Sequence, residues 1–320
     1  MVDYQKPFGS GFGQRSTASE VLNGLDLKGK YAIVTGGHSG LGLETTKALT
    51  AAGVDVLVAA RNRDVATTAT HNISNVTVDT LDLSDLASVH RFAKHVLDAG
   101  RHIDMLINNA GIMACPETRL GPGWEAQFAT NHLGHFALTN LLWPLLEGDA
   151  RIVSVSSAGH HNSPICWSDV QFMHGYDKWR AYGQSKTANA LFAAHLDRLG
   201  RGKGVRAFAV HPGKIFTPLQ RHLTQSEMVA EGWLNSNGTP ADPTFKTPEQ
   251  GAATQVWAAT SPQLDGLGGL YCEDCDIAVR AETTHEPFVG VTAYATDPDE
   301  AERLWRLSAD LTTINAFPDA

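Results

Sequence analysis

Six apolar runs, at 31–35, 54–59, 103–107, 151–155, 205–210 and 269–272, alternate along the chain with stretches whose apolar residues recur at helical spacing. Runs that are apolar throughout suit strands buried on both faces. Their alternation with helices predicts an α/β fold with a parallel sheet covered on each side. Some helix ends are legible too. SDLASVHRFAKHVLDAG predicts a helix with Ser84 as N-cap and a glycine at its end. Pro298 after Asp297 opens a last helix through DEAERLWRL. Thr17 and Glu20 suit a capping box on a short N-terminal helix. With no repeat, low-complexity tract or linker in the sequence, the pattern predicts an arm over 1–27 and a single domain over 28–320.

Composition narrows the function classes. At 320 residues and 42% hydrophobic content the chain can bury a full core. A net charge of −9 argues against nucleic acid or an anionic membrane as partner, since either favours a basic face. No apolar stretch approaches the length of a membrane span, and the N-terminus has neither an apolar core nor a basic front. Four cysteines without regular spacing suggest a reducing compartment, so the expected location is cytoplasmic.

The chemistry begins at the first strand. KYAIVTGG is followed by GLGLETTKALTAAG, and Gly36, Gly40 and Gly42 give the spacing GxxxGxG. Such glycines let backbone approach a pyrophosphate, whose charge sits over the N–H groups of the following helix. The second strand ends at Ala60 and Arg61, roughly 20 residues on, where an acidic residue would accept hydrogen bonds from a ribose 2′-hydroxyl. Arginine there favours a 2′-phosphate, so the expected cofactor is NADP(H); if Arg61 only stacks on adenine, NAD(H) is usable. Further along, Tyr182 and Lys186 lie four apart on a predicted helix and share a face. The ammonium is expected to lower the pKa of the phenol, fitting it for proton exchange near neutrality.

TGGHSGLG (35–42), LDLS (81–84), NNAG (108–111), TNHLGHF with Asn131, VSVSS (153–157), YGQSK (182–186) and HPG (211–213) occur in the order of the short-chain dehydrogenases/reductases. The chain resembles that family over about residues 20–280. Within it, SSAGHH, the segment 162–179 and STASEVLNGLDLKGK are most similar to the branch of retinol dehydrogenases, WW-domain oxidoreductases and their bacterial relatives. The resemblance implies a Rossmann-type doubly wound sheet and hydride transfer between nicotinamide and a carbonyl or alcohol. It makes Ser157 the polarising serine, with Ser156 as the alternative, and Tyr182 the general acid. Lys186 would hold the nicotinamide ribose, and Asn131 would support a proton relay through water. Cofactor contacts carry over to His38, Ser39 and Leu41 in the glycine turn, Asp82 and Leu83 beside adenine, Asn109 and Gly111 beside the nucleotide, and Pro212, Gly213 and Thr217 at the nicotinamide. NADP-preferring relatives often have a basic residue directly before the second glycine. Here that residue is Ser39, so the preference rests on Arg61.

Two inserts, at about 158–180 and 214–248, carry Ile165, Trp167, Phe172, Met173, Tyr176, Trp179, Phe216, Leu219, Leu223, Met228, Trp233, Leu234 and Phe245. They are expected to form an apolar lid over a bulky aromatic or alicyclic ketone or alcohol, with some of these residues packing the inserts onto the domain. His132, His135 and His161 read as core or rim histidines, and His160 as bordering the substrate entrance. Cys272 and Cys275 read as structural thiols on or just after the final strand, so no metal is expected. Two other functions compete: a dinucleotide-binding sensor or scaffold without turnover, and a reductase of carbon–carbon double bonds. Many relatives pair through the helices carrying Asn131 and Tyr182, and the inserts could block that surface, so a homo-oligomer is left open.

Overall fold

The computed structural model describes residues 4–318; the first three residues of the arm and the last two of the chain lie outside the described residues. The strands are β1 (Tyr31–Thr35), β2 (Asp55–Ala60), β3 (Val76–Thr80), β4 (Met105–Asn108), β5 (Arg119–Leu120), β6 (Trp124–Glu125), β7 (Arg151–Val155), β8 (Arg206–His211), β9 (Leu270–Glu273) and β10 (Asp276–Ile277). Eight of them form one sheet in the order β10-β9-β8-β7-β4-β1-β2-β3, while β5 and β6 make a separate two-stranded ribbon. Within the large sheet every pairing is parallel except β9 with β10. Apolar clusters lie on both faces: Phe92, Leu106 and Phe136 belong to one, and Leu49, Phe208 and Trp257 to the other. This is the α/β architecture that the alternation predicts, in the doubly wound, Rossmann-type form that the resemblance implies.

Two local expectations need correction. The apolar-run pattern passes over β3, because VTVDT alternates and sits half-exposed at the sheet edge. The Leu86–Ala99 helix is capped by Asp85, whose carboxylate accepts from the N–H of Ala87; Ser84 is drawn away by Asp82, to which it donates from both N and Oγ at 2.9 and 2.6 Å. The other ends match. Gly100 closes that helix in the left-handed conformation, Thr17 and Glu20 form the capping box, and Asp297 caps the Pro298–Thr312 helix.

The arm is stitched across the β10 edge. The Gln5 carboxamide bonds the backbone of Tyr271 and Ala278, and the Asp276 carboxylate accepts from the N–H groups of Phe8, Gly9 and Ser10. It then runs to the second insert, where Arg15 donates to the carbonyls of Pro243 and Phe245 at 2.6 and 2.9 Å. At the opposite face the Pro298–Thr312 helix covers the Lys178–Gly200 helix, with the Trp305 ring against Phe136, Phe192 and His195. No helix among the described residues is long and apolar enough to cross a membrane.

Candidate active site

Strand order reverses between β1 and β4, and the carboxyl ends of the strands there open a cleft of about 800 Å³. Its floor is the glycine turn. Gly36 has a φ of 67°, which suits glycine, and a Cβ on Gly42 would lie 2.3 Å from the Gly36 carbonyl oxygen. That contact gives Gly42 a packing reason while keeping it off the cleft wall. Gly36, His38, Ser39, Gly40 and Leu41 do line the cleft. Ser39 stands at the N-cap of the Gly40–Ala51 helix without making a side-chain cap bond, so the first-turn N–H groups keep donor capacity. A diphosphate fits such an end.

Arg61, at the end of β2, lines the cleft and has no ion-pair or hydrogen-bond partner among the described residues. Val65, which the motifs did not single out, lines the same end. Asp82 and Leu83 line the wall, the Asp82 carboxylate being held by Ser84. Asn109 is pinned by Thr35, donating from Nδ2 to its carbonyl at 2.8 Å and from its backbone N to its Oγ1 at 2.9 Å. Gly111, Pro212, Gly213 and Thr217 complete the lining. The Thr217 hydroxyl is engaged in capping the Pro218–His222 turn, and the Lys246 stem lies over Gly213.

Ser157 follows β7, and Tyr182 and Lys186 share one face of the Lys178–Gly200 helix; all three line the cleft. Ser157 Oγ accepts from the N–H of Gly159 at 3.0 Å, which leaves its own hydrogen to donate. Gly159 is itself needed, because a Cβ there would come within 2.8 Å of the Tyr182 ring. Ser156 points away, donating to the Lys186 carbonyl at 2.7 Å. Lys186 Nζ donates to the Val155 carbonyl at 2.9 Å and stands 5.6 Å from the Tyr182 ring centroid. Burial pushes the Tyr182 phenol up to about 12, against the downward pull of Ser157, and pushes the Lys186 ammonium down to about 8. The expected acidification of Tyr182 is therefore corrected: the ammonium is aimed at a carbonyl, desolvation dominates, and the phenol is neutral across the physiological range.

Asn131 lies in a π-turn, Ala129–Leu133, and does not line the cleft. Its carboxamide is fully used, with Oδ1 accepting from Ile112 N and Nδ2 donating to Ile112 O and Ser185 Oγ, each at 2.9 Å. The side chain braces the loop after β4. His160 also departs from expectation: it is 0% exposed and lies behind the cleft, because its ring finds buried partners in Ser157 and Thr292. His132 and His135 sit in the core, the first against Ser308 and the second against Thr35. His161 contacts Gly290 and the ring of Phe288, and Cys272 and Cys275 are buried at the β9–β10 turn.

The insert aromatics divide. From the first insert Trp179 reaches the cleft, while Ile165, Trp167 and Phe172 pack onto the body and Met173 is exposed. Trp167, for example, donates to Glu300 at 2.7 Å and lies under Arg303. From the second, Leu219, Trp233 and Phe245 line the cleft, with Phe216 stacked on Phe245 at 4.1 Å. Met113 and Phe288, from outside both inserts, add apolar wall.

Residues 30–228 match the family model described as short chain dehydrogenase. The chain is 46% identical to a Streptomyces lividans protein described as "Probable oxidoreductase", over 89% of this chain and 98% of that one. It is 38% identical to human retinol dehydrogenase 11, covering 90% and 87% of the two chains. Among solved structures, an uncharacterised protein from Mycobacterium paratuberculosis superposes with a TM-score of 0.71 at 32% identity, covering 92% and 97%.

Proposed function

Because the chain belongs to the short-chain dehydrogenase family and is thus a nicotinamide-dependent oxidoreductase, we propose that it is an NADP(H)-dependent carbonyl reductase acting on a bulky apolar ketone, or on the corresponding secondary alcohol in reverse. The observation that carries this reading is the convergence of Ser157, Tyr182 and Lys186 in one cleft whose outer wall is Trp179, Trp233 and Phe245. The bound cofactor supplies the hydride. Tyr182, neutral by burial, donates a proton to the substrate oxygen as negative charge develops there. Ser157, its acceptor site filled by Gly159, donates a second hydrogen bond to that oxygen and stabilises the same charge. Lys186 holds the nicotinamide ribose and keeps positive charge near the phenolate that results. Arg61 pairs with the 2′-phosphate, and the first turn of the Gly40–Ala51 helix receives the pyrophosphate. Asn131, bonded on both sides to Ile112, keeps the loop at Gly111 beside Lys186.

The aromatic wall favours a large apolar body on the substrate, and the name of the human relative, retinol dehydrogenase 11, agrees with it. The test is cofactor oxidation by the purified chain with NADPH and, in parallel, NADH, across bicyclic aryl ketones, alicyclic ketones and small aliphatic ketones, with reduction of NADP+ by the corresponding secondary alcohols for the reverse direction. Turnover of the bulky ketones with NADPH is expected. Tight NADPH binding without turnover of any carbonyl or alcohol would refute the reductase reading.

A further inference from the structure

The peptide group joining Ser157 to Ala158 is gripped from both sides by histidines. Its carbonyl oxygen lies 2.7 Å from His160 Nδ1, and its N–H lies 3.0 Å from His211 Nδ1. A carbonyl only accepts and an N–H only donates, so the two rings must carry their protons on different nitrogens. His160 is protonated at Nδ1, and its Nε2 accepts from the N–H of Thr292 at 3.2 Å. His211 is protonated at Nε2, which faces the Glu273 carboxyl at 4.0 Å, and its bare Nδ1 also faces the N–H of Gly213 at 3.4 Å. Both rings are buried, at 0% and 8% exposure, and burial holds both well below the usual histidine pKa. Protonation of His211 would replace its acceptor by a third donor.

We propose that His160 and His211, as neutral imidazoles of opposite tautomer, are positioning residues that lock the Ser157–Ala158 peptide plane and so aim the Ser157 hydroxyl at the substrate oxygen. His211 further couples this turn to the Pro212–Gly213 loop, joining the polarising serine to the nicotinamide side of the cleft through one nitrogen. A small misplacement of a preorganised donor is costly in rate. The role of the clamp in turnover rests on the carbonyl reductase reading; the tautomers do not.

The test has two arms on the full chain. In the first, histidine labelled with nitrogen-15 is assigned through His160→Asn and His211→Asn, and the wild type is expected to show a protonated Nδ1 on His160 and a bare Nδ1 on His211. The same tautomer on both rings, or a charged ring on either at pH 7.5, would overturn the clamp. In the second, kcat with NADPH and 1-tetralone is compared among His211→Asn, His211→Gln and His211→Leu, with the Kd for NADPH read by fluorescence. Asn can present its Oδ1 where Nδ1 stood and is expected to keep kcat within about 3-fold. Gln and Leu cannot, and kcat is expected to fall about 10- to 100-fold while Kd changes less than about 3-fold. Gln carries the comparison should Leu fail to fold. Equal kcat in Asn and Gln, whether lowered or not, would overturn the assignment to Nδ1. If the wild type reduces no ketone, the functional reading fails, and the tautomer arm alone decides the clamp.

Discussion

At the scale of single residues, the site combines groups of two kinds of legibility. Tyr182 and Lys186 announce themselves because a helix converts a spacing of four into adjacency, and Gly36, Gly40 and Gly42 because a strand-to-helix turn needs them. Gly159, His211 and Glu273 were not legible as site builders. They meet only because β7, β8 and β9 end side by side, and no local spacing in the sequence encodes that convergence. The pKa of Tyr182 is hidden for a related reason, since one-dimensional adjacency to an ammonium says nothing about burial or about the Val155 carbonyl that accepts the ammonium's hydrogen bond. Arg61 supplies a direct test at this scale. Arg61→Asp removes the cleft-facing cation and adds a like charge against a 2′-phosphate, so NADPH affinity should fall by about 1.5 to 3 kcal/mol, roughly 10- to 100-fold, while NADH affinity holds or improves. Binding fluorescence checks it, and an unchanged ratio of the two affinities would place the phosphate contact elsewhere.

Among elements, strands buried on both faces stand out as apolar runs, whereas β3, half-exposed at the edge, hides in an alternating pattern. The inserts were visible as long and aromatic, but their division of labour was not. Which aromatic packs inward depends on partners such as Glu300 and Arg303, more than a hundred residues away. The second insert is braced from outside the sheet. Phe245, stacked on Phe216 and set edge-on to Trp233, has its carbonyl held by Arg15 of the arm, and Lys214 pairs with Asp242 at the insert's base. Arg15→Gln should therefore loosen the apolar wall without touching the cofactor. The KM for a bulky ketone is expected to rise about 3- to 10-fold, with the Kd for NADPH unchanged, as suits the loss of two exposed charge-assisted hydrogen bonds. Steady-state kinetics against a bulky and a small ketone checks this, and an equal KM change for both would contradict it.

Taken whole, the molecule buries an unusual set of neutral histidines. Burial holds His132 and His160 down at about 3 and His135 and His195 at about 4, with His211 also well below the ordinary value of 6.5. Their folded pKa values lie below the unfolded one, so the stability tied to their neutral state is present above about pH 6.5 and is lost as pH falls towards 4. Each contributes of order 1 kcal/mol of loss between pH 7.5 and 5.5. Glu273, pushed up to about 7 by burial, and Glu125, also raised by burial, oppose them by gaining stability as they protonate, but they are two groups against five. Tm should drop by about 5 to 10 °C over that interval in calorimetry, and a flat or rising Tm would contradict the neutral assignments. The Lys178–Gly200 helix, one of the two through which a pair could form, is covered both by the Pro298–Thr312 helix and by the first insert, whose Ile165 and Trp167 pack on it. All of these features surround one chemical claim, that Tyr182 delivers the proton while hydride crosses from the nicotinamide. The most direct measurement is single-turnover transfer from NADPH deuterated at the transferable C4 position to 1-tetralone, comparing wild type with Tyr182→Phe. Deuterium is expected on the carbinol carbon of the wild-type product, with at least about a 100-fold slower transfer in the variant and unchanged NADPH affinity. Deuterium transfer at the wild-type rate by Tyr182→Phe would contradict that claim.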